Sequence, residues 1–433
     1  MSAMKTDATS VTGAAVVDVT HRLEDLLIVS LMTPMSRRGP LSVDAAGNEN
    51  CCWGLPLNQW GLPSTAKSDK TEQAALKTAL PMSVIYPSQN QPEDFGNMPV
   101  VMRLAAPTPG GVCDGVFPIS LLSQVTELNL HGKGVLFVDE GSTAAPAVQA
   151  SMLSMVLARK VGCVPIAGKI RILLAANPPE HAVGGYPYEP ALANRMAHVY
   201  VNDPPPEEWW NYLVTDDTPQ TIATEDLENK VKTNWVTARP YAVSNIIGFT
   251  RANPDKIKQQ PAKGHPQGSY AWPSMRTWDM AGKALAAAKA LGYDDEIEQM
   301  VIEACVGEGL GVEWAAWKAA ADIPEPQDVL DNGWNPDKDR LDRTMAVSSG
   351  ITSFVMHQPD INQKYMYAAK AWEWFARTIK DYSLGDIVVA QCQSFLTAGL
   401  GGKRSQSPDY LKRAARSALS ELDNLGLTEF VSA

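Results

Sequence analysis

Cysteine is scarce and scattered, with six in 433 residues, at 51, 52, 113, 163, 305 and 392. None forms a CxxC pair and no histidine stands at metal-ligand spacing, so reduced thiols and no zinc are expected. No apolar run reaches the roughly 20 residues that span a bilayer. No basic run offsets a formal net charge of −11, which argues against a surface built to coat nucleic acid. Residues 1–20 lack a basic stretch followed by an apolar one, so no secretory signal is expected and the cytoplasm is the default compartment. There is no internal repeat and no low-complexity tract.

What is present begins with bulk. A chain of 433 residues can build two or three domains, and 45% hydrophobic with 20% charged residues suits a soluble globular protein. One stretch organises the rest, Gly134-Val-Leu-Phe-Val-Asp139-Glu140. A continuous apolar run bounded by glycine and acids suits a strand buried on both faces of a parallel sheet. Its end would hold two carboxylates at the carboxyl edge, where open α/β sheets bind ligands. The first acid can hold a hydrated magnesium ion, and the second can polarise an attacking water. On seven residues alone a core strand with a solvated turn is the simpler account, so the flanking segments decide.

His21 to Met32 places Leu23, Leu26, Leu27 and Leu31 at helical spacing. Leu55 to Trp60 reads as a strand, weakened by Asn58 and Gln59. Gly61-Leu62-Pro63-Ser64-Thr65-Ala66-Lys67-Ser68 follows it and leads into a helical stretch to Leu80. Small residues in such a loop let backbone N–H groups wrap phosphates, a lysine meets the terminal phosphates, and a serine or threonine meets a metal. Ala66 stands where the general pattern has glycine, and its Cβ restricts the backbone. Met82 to Tyr86 is a second strand, and residues 104–117 read as an irregular insert or hairpin. A helix over Ile119 to Leu130 leads into the acid-tipped strand, and another runs from Pro146 to Lys160 with Ser142 or Thr143 as its cap.

Val161 to Lys169 is hairpin-like. Ile170 to Ala176 is an apolar strand ending at Asn177, whose amide can position a water or phosphate, or simply form an Asx turn before Pro178. Pro190 to Met196 is a helical turn carrying Arg195, and Ala197 to Val201 is a fifth strand. Five strands separated by helices imply a parallel sheet with helices on both faces. Past Pro206 the pattern is mostly helical. A polar linker over Asp216 to Asp226 precedes helices at Tyr241–Arg251, Pro273–Leu291 and Asp295–Ala321. Gly307, Gly309 and Gly311 mimic a nucleotide loop but follow no strand, so they mark a helix–helix corner. Residues 323–336 read as a connection, and four helices follow near 338–357, 361–381, 384–398 and 408–424, with Trp372, Trp374 and Phe375 in their core.

Taken together, the motifs resemble those of the AAA+ ATPases and, among them, the MoxR group, over roughly residues 21–321. The segments that carry the resemblance are Gly-Val-Leu-Phe-Val-Asp-Glu, Ala-Pro-Ala-Val-Gln-Ala-Ser-Met-Leu, Leu-Leu-Ala-Ala-Asn-Pro-Pro-Glu and Ala-Leu-Ala-Asn-Arg-Met, in that order. The resemblance implies an α/β P-loop core with a five-stranded parallel sheet ordered 5-1-4-3-2, an α-helical lid and a further helical region. The expected division is a loose arm over 1–20, the core over 21–213, the lid over 214–322 and the C-terminal helices over 323–433.

By the same resemblance, Gly61 to Ser68 would bind ATP, with Lys67 on the phosphates and Ser68 and Asp139 on Mg2+, partly through water. Glu140 would be the general base, and Asn177 the sensor-1 residue that helps place the attacking water. Arg195 would be the arginine finger offered to a neighbouring subunit, and Arg276 the sensor-2 arginine. Residues 100–118 match the group's helix-2 insert, and Val161–Lys169 its pre-sensor-1 hairpin. Ala66 fits the group, whereas Ser64 replaces its usual glycine, so slow turnover is expected, and Ser64→Gly is expected to tighten ATP binding while lowering the melting point slightly. The implied partners are further copies in a ring, commonly a hexamer, and a client protein, with von Willebrand factor A-domain proteins as frequent associates. The competing reading is a non-hydrolysing structural or regulatory subunit with a degenerate P-loop. A DNA-directed role is opposed by the acidic balance.

Overall fold

Short strands that are apolar on both faces dictate the centre of this molecule. The computed structural model describes residues 19–36, 39–44, 47–95, 98–105, 112–119, 122–179, 181, 185–214, 220–402 and 405–427. The arm expected over 1–20 lies almost wholly outside these residues. In chain order the strands are β1 (Leu57–Trp60), β2 (Met82–Ile85), β3 (Met98–Ala105), β4 (Val112–Ile119), β5 (Gly134–Val138), β6 (Lys160–Val161), β7 (Val164–Pro165), β8 (Ile170–Ala176) and β9 (Ala197–Tyr200). Five of them form one parallel sheet in the order β2-β5-β8-β1-β9. Counting those five along the chain, this is the expected order 5-1-4-3-2. β3 and β4 pair as an antiparallel hairpin within the stretch read as an insert, and β6 and β7 pair as a second, very short one.

The helices of this part are α1 (Leu23–Leu31), α2 (Lys67–Lys77), α3 (Pro92–Phe95), α4 (Ser123–His131), α5 (Pro146–Ala158), α6 (Pro190–Ala193) and α7 (Pro206–Val214). One face of the sheet buries Trp60, Ile85, Leu136, Val138, Ile172 and Leu174 with Val125 and Leu128 of α4 and Val148, Met152 and Met155 of α5. Residues one position along point the other way, as the period of two requires. There Gln59 Nε2 donates to Thr71 Oγ1 of α2 at 2.8 Å, and Arg171 Nε donates to the Leu31 carbonyl of α1 at 3.2 Å. The helices therefore cover both faces. Arg171 is fully buried and is held by Glu228 at 2.6 Å, a carboxylate that Lys169 also reaches at 2.9 Å.

Helix ends follow local chemistry with one correction. Gly132, at φ 74°, closes α4 in the left-handed region, and its N–H donates to the Leu128 and Asn129 carbonyls. Neither Ser142 nor Thr143 caps α5. Those residues are taken up in the 3-10 turn Gly141–Thr143, so Ala145 stands at the cap and offers no side-chain acceptor.

The remaining helices are α8 (Thr224–Ala252), α9 (Met275–Leu291), α10 (Asp295–Val306), α11 (Glu308–Ala321), α12 (Pro326–Asn332), α13 (Leu341–Met356), α14 (Ile361–Tyr382), α15 (Gly385–Thr397) and α16 (Asp409–Asn424). α8 begins 17 residues before the expected Tyr241 and runs through Pro240. Its charged first turns hid the buried stripe Val231, Trp235, Ala238 and Ala242, which has helical spacing. The corner at the glycine run falls at Gly307, at φ 102°, between α10 and α11. α12 occupies part of the stretch read as a plain connection.

The chain forms two compact units. The first comprises Met1–Asn229, Lys258–Ala284 and Asp294–Gly311, and the second comprises Lys230–Ile257, Leu285–Tyr293 and Val312–Ala433. Residues 214–322 thus contribute to both. The second unit has its own core, in which Phe354, Trp372, Phe375, Phe395, Leu411 and Leu422 are among the buried side chains. Among the described residues, no helix is long and apolar enough to cross a membrane.

Candidate active site

The site is assembled at the carboxyl ends of β1, β5 and β8, all within the first unit. After Trp60 the chain must turn sharply under the neighbouring strand end. A Cβ at Gly61 would lie 2.5 Å from the Val201 carbonyl oxygen and 2.8 Å from Thr65 Oγ1, so only glycine fits. Leu62, Pro63 and Ser64 are exposed, Thr65 is buried, and α2 starts at Lys67. Two residues of the loop are left-handed, Ser64 at φ 75° and Ala66 at φ 59°. Ala66 stands at the cap of α2 without a side-chain cap, so the first N–H groups of the helix have no side chain of that residue to bind.

Lys67 folds back over this loop. Its Nζ is 2.9 Å from the Gly61 carbonyl oxygen, 2.8 Å from that of Leu62, 3.2 Å from Thr65 Oγ1 and 3.3 Å from Asn177 Oδ1. All four acceptors are neutral. Burial therefore dominates and draws the lysine pKa down to about 8, against the opposing fields of Asp139 and Asp203. Asn177, at the end of β8, thus meets Lys67 from across the sheet.

At the end of β5, Asp139 Oδ2 accepts from Ser68 Oγ at 2.7 Å, and its Oδ1 accepts from the Glu140 N–H at 2.9 Å. Glu140 is exposed and left-handed, at φ 55°, and its carboxylate makes no hydrogen bond among the described residues. The turn is fixed from behind, because a Cβ on Gly141 would lie 2.1 Å from Tyr188 Oη. Tyr188 in turn donates to Asn58 Oδ1 in β1 at 3.1 Å.

The two arginines form a second cluster. Arg195 follows α6, is half-buried, and donates to the Ala191 carbonyl. Its Nε is buried with no hydrogen-bond partner. Arg276, exposed at the start of α9, donates to Asn194 Oδ1 at 3.3 Å. Burial, and then the neighbouring positive charge of Arg276, push the Arg195 pKa down. Neither arginine hydrogen-bonds the P-loop or the Asp139–Glu140 pair among the described residues.

The structure therefore groups Lys67 with Asn177 and Ser68 with Asp139 and Glu140, and sets Arg195 beside Arg276. Asn194 was not anticipated. It joins the second cluster by accepting from Ser274 Oγ at 3.1 Å and from Arg276, and by donating to the Trp272 carbonyl at 3.4 Å. Its position inside Ala-Leu-Ala-Asn-Arg-Met was the available signal. Asp203, whose charge acts on Lys67, was also missed, although it stands three residues past the last strand and directly before three prolines.

These residues fit a magnesium–nucleotide pair. Among the described residues no group of three or more histidine, cysteine or acidic side chains could cage a metal. Mg2+ does not need one, since it usually takes one or two protein oxygens and fills its octahedron with waters and phosphates. Ser68 Oγ and Asp139 Oδ2 provide such a pair of hard oxygens side by side. Lys67 and the N-terminus of α2 supply the complementary positive field for a polyphosphate.

No family model matches the chain, and no curated protein matches it. Among solved structures, one similar to it is that of a Cytophaga hutchinsonii protein provisionally named an ATPase. The two are 15% identical, the alignment covers 75% of this chain and 92% of the other, and the TM-score is 0.42.

Proposed function

We propose that this chain is an ATPase of the AAA+ type with MoxR character, working as a ring, commonly a hexamer, that couples ATP binding and hydrolysis to remodelling of a protein client. A protein bearing a von Willebrand factor A domain is the partner class this reading implies. The observation that supports it best is the convergence of Lys67, Asn177, Ser68, Asp139 and Glu140 at one sheet edge from three separate segments.

In this reading Lys67 leaves its four neutral acceptors and turns to the phosphates, while the N–H groups at the start of α2 hold them. Ser68 and Asp139 would hold the magnesium ion. Bound magnesium ATP supplies the transferable phosphoryl group. Glu140, whose carboxylate is exposed and has no competing hydrogen bond among the described residues, takes the proton of the attacking water. Asn177 orients that water. Arg195 would present its positive charge to the nucleotide of the adjacent copy, where charge develops in transfer, and Arg276 would reach the phosphates as the sensor-2 arginine.

The test is phosphate release from purified protein given ATP and magnesium, with Lys67→Ala as control. Release above that control is expected. ATP binding without release would favour the second reading, a nucleotide-gated subunit that does not hydrolyse. The strained Ser64 in the loop is the observation on that side.

A further inference from the structure

Among its described residues the first unit carries an exposed apolar patch on α7 and a groove of matching character. α7 exposes Trp209 (52%), Trp210 (54%), Leu213 (61%) and Val214 (84%). Single exposed apolar side chains are ordinary, but four within six residues make a patch of the kind that marks an interaction site. The patch is fixed beside the P-loop. Glu208 in its first turn accepts from Lys70 of α2 at 2.6 Å, and the charge of Asp203 just before it acts on Lys67. The segment 203–208 reads Asp-Pro-Pro-Pro-Glu-Glu, with three acids and no base.

The groove has a volume of about 760 Å³, and its lining includes Tyr188, Pro190, Lys263, His265, Tyr270 and Trp272. That volume is in the range of pockets that enclose most of a multi-ring ligand. The loop over 258–272 on one side carries Lys258, Lys263 and His265 and no acid, while Glu189 also lines the groove. Lys263 makes no ion pair among the described residues. The groove adjoins the arginine cluster, because Asn194 bonds both the Trp272 carbonyl and Arg276.

We propose that α7 of one copy seats Trp209 and Trp210 in this groove of a second copy, with Glu207 facing Lys263. Three observations select a second copy as the occupant. The patch is apolar and acid-flanked, and the groove is aromatic and bordered by a basic loop, so the two are complementary in surface character and charge. The patch adjoins Lys67 while the groove adjoins Arg195 and Arg276, so docking carries one copy's arginines toward the other's P-loop. Patch and groove are different surfaces, so the contact is head-to-tail, the type that propagates beyond a dimer and closes into a ring when its rotation allows. The inference rests on the ring reading above and names the surfaces that would build it.

Sedimentation velocity of the full chain, with magnesium and a non-hydrolysable ATP analogue, tests this. Wild-type protein is expected to assemble with rising concentration, with a blue shift in tryptophan emission. Trp209→Ser with Trp210→Ser should abolish both, while a fluorescent ATP analogue still binds and so verifies the fold. Glu207→Lys and Lys263→Glu should each weaken assembly by about tenfold or more, and together restore it. If the serine variant assembles like wild type, or the paired charge reversal restores nothing, the docking is overturned. If wild type binds ATP but stays monomeric in every nucleotide state, the docking fails and the nucleotide reading stands. Assembly through these surfaces without ATP binding supports the docking and removes the nucleotide reading. Wild-type binding in this groove to an added client peptide, in place of self-assembly, would give the groove to another protein and overturn the proposal.

Discussion

Ser68 Oγ donates to Asp139 Oδ2 at 2.7 Å, joining the first turn of α2 to a strand end 71 positions further on. The contact sets two hard oxygens side by side at the edge of the sheet, and it leaves the next residue, Glu140, projecting into solvent with its backbone tied to the same carboxylate.

That arrangement gives Glu140 a role separable from binding. Glu140→Gln should retain ATP affinity and lose turnover by about 100-fold or more, the range of a general base. Equilibrium binding and steady-state phosphate release on the same preparation measure the two halves. Wild-type turnover in the variant would remove Glu140 from the base role.

Arg195→Ala should keep nucleotide affinity and lose hydrolysis by a comparable factor, because the group acts on charge that develops only in transfer. Mixed with Lys67→Ala protein, it should regain part of the activity, since an intact Arg195 can then face an intact Lys67. No recovery at any mixing ratio, in assemblies shown to contain both variants, would refute action across an interface.

Ser64→Gly changes sign once the backbone is known. The sequence suggested a slightly lower melting point, because glycine gives the unfolded chain roughly 0.4–1 kcal/mol of extra freedom. Ser64 sits at φ 75°, and left-handed backbone costs a non-glycine residue roughly 1–2 kcal/mol. Relief of strain outweighs the entropy. The nucleotide-free melt of Ser64→Gly should therefore match or exceed wild type, and ATP affinity should rise. A clear fall in the melting point would show that Ser64 is not strained.

In the proposed function, Lys67 should make nucleotide binding sensitive to pH. With its folded pKa lowered to about 8 from 10.5, the unfolded chain holds the extra proton between those values, so this group's burial penalty is full below about pH 8 and fades toward pH 10.5. A bound polyphosphate favours the charged lysine and reverses the shift. ATP binding near pH 8.5 should thus take up protons, and affinity should fall as pH rises through about 8. Calorimetry in buffers of differing ionisation enthalpy measures the uptake. Lys67→Arg should show none, because arginine keeps its proton throughout.

Local chemistry alone specified much of this molecule. The strands ending at Asp139 and Asn177 were legible as apolar runs that stop at a polar residue, the other three core strands more weakly, and the strand order followed from the resemblance. The helices at 341–356, 361–382, 385–397 and 409–424 were legible because their apolar spacing is regular over many turns. Lys67, Ser68, Asp139, Glu140, Asn177, Arg195 and Arg276 were named through that resemblance, at its short motifs.

Tertiary structure decided what those residues touch. Asn58 and Gln59 looked like flaws in β1, yet both are fully buried; Tyr188 and Thr71, from other segments, each bond one end of an amide, while Asn58 Nδ2 and Gln59 Oε1 have no hydrogen-bond partner among the described residues. Asn194 acquires a role only because Trp272, Ser274 and Arg276 reach it from about 80 positions away. The strain at Ser64 and the pairing of Arg195 with Arg276 likewise depend on the folded chain. A repeating apolar pattern records which face of an element is buried. It carries no mark of which polar group from another segment will complete a buried hydrogen bond, because that partner is chosen by three-dimensional proximity and by the cost of leaving a desolvated polar atom unpaired.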